Sequence, residues 1–206
     1  MINLPSPNPG IEIVYASRGM SKGLAQTDGA QVVPKAFVQF GTVQIGGQWK
    51  NVTSPAAEGE AAAFAAFAPK IGGFQLSLGA AYKFQTAVHG KTDDDALEFS
   101  GSISRKFGKV GLRLGLVYSP DDFGSTRRSL FVDFGQSIDF DKSTRLSGTI
   151  GRRERVGSPD YTAFNAGVTR TLARALSVDL RYFGTAQRRL GDAYKDRAVV
   201  SARFTF

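Results

Sequence analysis

From Arg197 to Phe206 the chain alternates with a period of two. Ala198, Val200, Ala202, Phe204 and Phe206 lie on one side, and Arg197, Val199, Ser201, Arg203 and Thr205 on the other. Successive side chains of a β-strand point to opposite faces, so this run is apolar on one face and carries arginines on the other. A strand packed inside a soluble core rarely places arginine on its second face. A strand with lipid on one side and a wet lumen on the other needs this pattern. The run is read as the closing strand of a membrane-spanning, antiparallel up-and-down β-barrel in the bacterial outer membrane.

The same period recurs along the chain. Ile11, Ile13 and Tyr15 alternate with Glu12, Val14 and Ala16, and Phe74, Leu76, Leu78, Ala80, Tyr82 and Phe84 oppose Gln75, Ser77, Gly79, Ala81 and Lys83. Val110, Leu112, Leu114 and Leu116 oppose Gly111, Arg113 and Gly115, and Leu176, Val178, Leu180 and Tyr182 oppose Ser177, Asp179 and Arg181. The Ala-rich run from Gly59 stops at Pro69 between two such segments, which argues for a strand rather than a helix. The total is about twelve strands, an even number that puts both chain ends on the periplasmic side. The links alternate in length. Tight ones fall at Gly41-Thr42 and Phe107–Lys109, and long ones at Gly19–Gln31, Gln85–Asp95, Ser119–Arg128 and Thr185–Asp196. Short periplasmic turns and longer outer loops require this alternation. Residues 1–206 are read as one barrel domain, with 1–9 as an N-terminal periplasmic segment.

Mean hydropathy is slightly negative at −0.16, as half-apolar strands make it, and no run approaches the ~20 apolar residues of a membrane helix. The first residues lack a basic start, an apolar run and a cleavage site, so the export signal is expected to have been removed. There is no cysteine, which excludes disulfides and thiolate metal sites. The net charge of +8 is dispersed over strands and loops, without a basic helix or an RNA-binding aromatic signature. The expected contacts are outer-membrane lipid, lipopolysaccharide and small solutes, together with an envelope protein complex or further copies of the chain, but not nucleic acid. No cofactor is called for.

The segment from Tyr15 to Gly29, above all Ser17-Arg18-Gly19-Met20-Ser21, resembles the opening of the TorF-like porin family, outer-membrane proteins of Proteobacteria. Later elements follow a similar order over nearly the whole chain. They are Gln48-Trp49, Glu60 opening a strand, a hairpin through Gly72, Gly73 and Gly79, and the loop Tyr118-Ser-Pro-Asp-Asp-Phe-Gly. Ala62 stands where that family's pattern has an aspartate, and the Tyr-Pro pair after Tyr82 is absent. The resemblance implies a barrel able to hold a pore, and it supplies no catalytic residues.

The sole histidine, His89, and the run Asp93-Asp94-Asp95 both fall in a polar loop. Neither has the partners or spacing of a nucleophilic or calcium site. The lumen face is more informative. The positions predicted to line a pore are Arg18, Lys50, Lys83, Glu98, Arg113, Asp133, Arg145, Asp179, Arg181 and Arg203, among further inward cations at Lys35, Lys106, Arg153 and Arg197. Cations dominate, and rings of arginine and lysine lower the barrier to negative solutes. The expected function is therefore passive diffusion of small, anionic solutes. The alternative is a plugged barrel that displays its loops or anchors a complex. Arg105 and Arg170 fall on the apolar face beside turns, where long side chains can reach water.

Overall fold

The structure, a computed structural model, describes residues 5–54, 56–90 and 93–206. Residues 1–4 of the predicted N-terminal segment lie outside the described residues. The alternating runs form twelve barrel strands: β1 (Asn8–Ala16), β2 (Gln31–Phe40), β3 (Val43–Asn51), β4 (Ala57–Phe67), β5 (Phe74–Val88), β6 (Asp95–Phe107), β7 (Val110–Asp122), β8 (Arg127–Asp139), β9 (Thr144–Arg155), β10 (Tyr161–Ala173), β11 (Leu176–Thr185) and β12 (Arg197–Thr205). Each pairs antiparallel with its neighbours in sequence. β12 then pairs with β1, Ile13 opposite Phe204 and Tyr15 opposite Ala202, so the cylinder closes without an edge. Closure satisfies every ladder, which is what lets strands cross a membrane.

The register sends the two halves of each alternation to opposite sides. Leu114, Leu116, Phe134, Ile150, Leu180 and Val200 stand exposed on the outer wall. Arg113, Asp133, Thr149, Asn165 and Arg181 share the inner wall across β7 to β11. Leucine and isoleucine exposed at this density form a continuous apolar band, and lipid is the medium that suits it. The shallow depression walled by Phe134, Leu146, Ile150, Leu180 and Tyr182 belongs to this lipid-facing surface. Arg105 lies on the same face near its turn. Its guanidinium sits 4.8 Å from the Phe74 ring and 5.0 Å from the Phe107 ring, a cation–π arrangement that leads the charge to the band's edge.

One end of the barrel carries the tight links, the start of β1 and the end of β12, and the other carries the longer loops. Two predicted long loops, Gln85–Asp95 and Ser119–Arg128, are shorter than expected. β5 continues to Val88, β7 to Asp122, and β8 starts at Arg127, because pairing continues past the apolar band, with Ala57 opposite Val88. At the turn end, the Asp141 carboxylate accepts hydrogen bonds from the Ser143 backbone N–H (2.7 Å), the Ser143 hydroxyl (2.8 Å) and the Thr144 N–H (2.7 Å). These donors, the Ser143 N–H first, hold its carboxyl down at about 2. A carboxyl depressed on folding stabilises above its unfolded value and loses that contribution as pH falls through the folded one. Asp141→Ala is therefore expected to lower resistance to unfolding at neutral pH and to flatten the decline between about pH 4 and pH 2. Urea titrations across that window measure both effects. An unchanged acid limb would show that the turn does not depend on this carboxylate.

Candidate functional site

The lumen is divided by its first loop. Residues 17–30 do not extend outward as an outer loop would. They fold into the barrel as a small hairpin whose paired arms are Met20–Ser21 and Leu24–Ala25. Its tip, Lys22-Gly23, has φ of 48° and 86°, the two positive angles of a type I′ turn. Gly23 is required there on two counts. Its backbone is left-handed, and a β-carbon on it would lie 2.2 Å from that of Ala163 on β10. The tip thus touches the far wall, where the fully buried Tyr161 donates its hydroxyl hydrogen to the Lys22 carbonyl oxygen at 2.9 Å. The base is tied to the near wall. Gly19 N–H bonds to the Thr27 hydroxyl (2.7 Å), Thr53 N–H to the Gln26 carbonyl (2.8 Å), and Lys50 Nζ to Gln26 Oε1 (2.9 Å).

Charged groups pack around this strut. Glu98 on β6 accepts from both Lys22 and Lys83, the latter at 2.8 Å, and all three side chains are largely buried. Lys50 pairs with Glu60 at 3.1 Å. Arg153 pairs with Asp122, which also accepts from the Ser129 hydroxyl at 2.7 Å. Burial without a partner is costly for a charge, so each carboxylate here holds its cations in place.

Between the hairpin and the turn end the lumen holds open space. A cavity of about 580 Å³ is lined by Glu12, Arg18, Met20, Asp179, Arg181 and Arg203 among others. Arg181 is the best-held cation. It meets Asp179 at 2.9 Å, Asn165 Oδ1 at 2.8 Å and the Ser147 hydroxyl at 2.9 Å. Arg113 leans over Gly115, which has no side chain to obstruct it, to reach Asp133. Nearer the turns, one carboxylate, Asp139, serves both Lys106 and Arg145, and Arg203 stands 3.5 Å from Glu12. Among the described residues, some lumen-side cations have no carboxylate within 4 Å, Arg155 over the Tyr161 ring at 5.0 Å among them. Lys35 rests over the Phe37 and Phe64 rings at 5.1 and 4.8 Å, and Arg18 donates to the Asp28 backbone carbonyl. Cations therefore outnumber carboxylates along the inner wall, with carboxylates shared or missing.

Nine of the ten predicted pore-lining residues stand on inward strand faces. The tenth, Arg18, reaches the lumen from the loop just past β1. Sequence reasoning missed Lys22, Asp122 and Tyr161 as lumen groups. Strict alternation from Tyr118 would turn Asp121 inward. A one-residue bulge shifts the register, so that Asp121 pairs beside Leu97 and Asp122 faces the lumen instead. The proline at 120 was the available signal, since proline in a strand marks a bulge or an edge. At the loop rim His89 Nε2 lies 3.3 Å from Glu58, both well exposed.

A closed barrel with an apolar exterior, a polar interior and an inward constriction loop defines the porin-like class of membrane proteins. The chain belongs to the Gcw_chp family, described as bacterial proteins of unknown function, which it matches over residues 22–206. A comparison with curated proteins finds no match. Among solved structures the chain is similar to the KdgM porin, with a TM-score of 0.68 and 8% identity over 96% of this chain and 99% of that one. It is also similar to the NanC porin (0.60, 8% identity, 96% and 98%) and to an outer membrane channel from Pseudomonas putida F1 (0.55, 11% identity, 96% and 94%). At such identities the likeness is one of fold.

Proposed function

We propose that this chain is an outer-membrane channel for passive diffusion of small anionic solutes, of the TorF-like kind its opening segment resembles. In this reading residues 1–206 act as one barrel domain in the bacterial outer membrane, with 1–9 on the periplasmic side. The pore is lined by Arg18, Lys50, Lys83, Glu98, Arg113, Asp133, Arg145, Asp179, Arg181 and Arg203. The observation that carries the reading is the shortage of lumen carboxylates: Glu98 and Asp139 each serve two cations, and Lys35 has none. An inner wall with surplus cations concentrates anions and repels cations. The similar KdgM porin has been solved in complex with disordered oligogalacturonate, an acidic oligomer. Such acids are the first solutes to test.

Planar-bilayer recording with a potassium chloride gradient tests the proposal. The expected result is discrete conductance with a reversal potential displaced toward that of chloride. Absence of conductance, or displacement toward potassium, would overturn it. A second reading, a plugged barrel that displays its loops or anchors an envelope complex, is favoured by the hairpin packed across the loop-end lumen. It predicts no conductance in the same recordings.

A further inference from the structure

Lys22 occupies a place that selects against lysine. The first central residue of a type I′ turn needs a positive φ, which asparagine, aspartate or glycine adopts more easily than a residue with a long side chain. With its φ of 48°, this turn carries that strain. A strained residue invites the question of what its side chain does. The hairpin spans the lumen from the β2–β3 wall to β10, and its tip delivers an ammonium beside Lys83 on β5, both resting on the single carboxylate of Glu98 on β6. Without Lys22, the Lys83–Glu98 pair would be neutral. With it, the part of the lumen that the hairpin crosses holds an unbalanced positive charge, next to a cavity of about 220 Å³ bounded by Met20, Lys22, Gly23 and Asp133.

We propose that Lys22 is the residue that sets ion selectivity at the constriction, forming with Lys83 a pair that takes carboxylate-bearing or other small oxyanionic solutes. The proposal rests on the channel reading above. It goes beyond that reading in assigning selectivity to the hairpin tip rather than to the arginines of the strand walls. Two ammonium groups around one carboxylate leave hydrogen-bond donors and charge for a second anion, which a passing solute can supply.

The surroundings of Lys22 give it a signature. The groups that face it are Lys83 on β5, Glu98 on β6, Asp122 on β7, Asp133 on β8, Arg153 on β9 and Tyr161 on β10. Burial and the repulsion of Lys83 pull its ammonium down to about 8, against the attraction of Glu98. It is charged at pH 7 and mostly neutral at pH 9.

The experiment is reversal-potential measurement in a potassium chloride gradient at pH 7 and pH 9, on the wild-type chain, Lys22→Arg and Lys22→Gln. In the wild type the chloride preference is expected to fall several-fold over this interval. Lys22→Arg, whose guanidinium does not titrate there, should keep the preference at both pH values. Lys22→Gln should show the weaker preference at both. A strut that only held the hairpin in place would leave selectivity and its pH profile alike in all three. If Lys22→Gln fails to fold, Lys22→Arg carries the test. A preference in Lys22→Arg that still falls with pH would overturn the assignment while leaving the channel intact. A wild type that does not conduct would overturn the channel reading and this assignment together.

Discussion

Replacing Glu98 by alanine is expected to destabilise the barrel by about 3 kcal/mol, at the lower end of the cost of breaking a buried ion pair. The carboxylate supports two ammonium groups, and the side chains of Lys22, Lys83 and Glu98 are only 12%, 15% and 17% exposed. Removing it leaves both cations facing each other in a poorly hydrated space. Lys83 escapes by changing rotamer on a fixed strand, and Lys22 by drawing the hairpin tip away from Ala163 or by giving up its proton, each at a cost in stability. Urea unfolding of the barrel in lipid vesicles measures the loss. The companion variant Glu98→Ala with Lys83→Met separates the causes, because it removes the repulsion together with the support. It should recover much of the loss, as coupled neighbours do in a double-mutant cycle. If Glu98→Ala unfolds within about 0.5 kcal/mol of the wild type, the hairpin is not anchored through this cluster.

The barrel was legible in the sequence because its cause is written at every second residue. A membrane strand has lipid along one face and a filled or wet lumen along the other, so period-two patterning persists through β5, β11 and β12 and through β7 as far as Ser119. The Ala-rich β4 was readable for the same reason, since Pro69 closes it and its neighbours alternate. The constriction was not legible, because what makes it is tertiary. Ser17-Arg18-Gly19-Met20-Ser21 looks like the start of an outer loop. Contacts far away in the chain turn it inward, such as that of Gly23 with Ala163, some 140 residues on, and that of Lys22 with Tyr161 and Glu98. A weak signal existed. Lys22-Gly23 flanked by Met20 and Leu24 is a two-residue turn between apolar residues, an odd composition for a loop expected to face water. Asp122 was hidden by a different cause. One extra residue near Pro120 reverses the inside–outside assignment for the rest of β7, and period counting alone has no means of detecting the slip.

The assignment of faces can be tested with two neighbours on one strand. Ile103 and Ser102 follow each other on β6, with Ile103 paired to Leu76 and Leu114 on the outer wall and Ser102 paired to Ser77 and Gly115 on the inner one. Arginine at either position adds the same side chain to the same strand at nearly the same depth. Only the medium differs. On the lipid face the guanidinium has no carboxylate within reach, and Ile103→Arg is expected to cost about 2 kcal/mol, the lower end of what a cation costs at the middle of a bilayer, because the rim lies only a few residues away. Facing the lumen, with Ser77, Ser100 and Ser104 on nearby inward positions, Ser102→Arg should cost under about 1 kcal/mol. The native Arg105 marks the boundary of the effect, since it stands two residues nearer the turn on the outer face and is held at the rim by Phe74 and Phe107. Unfolding in vesicles of matched thickness reads the difference. A larger loss for Ser102→Arg than for Ile103→Arg would mean that the apolar wall faces inward, and neither a channel nor a lumen constriction could survive that result.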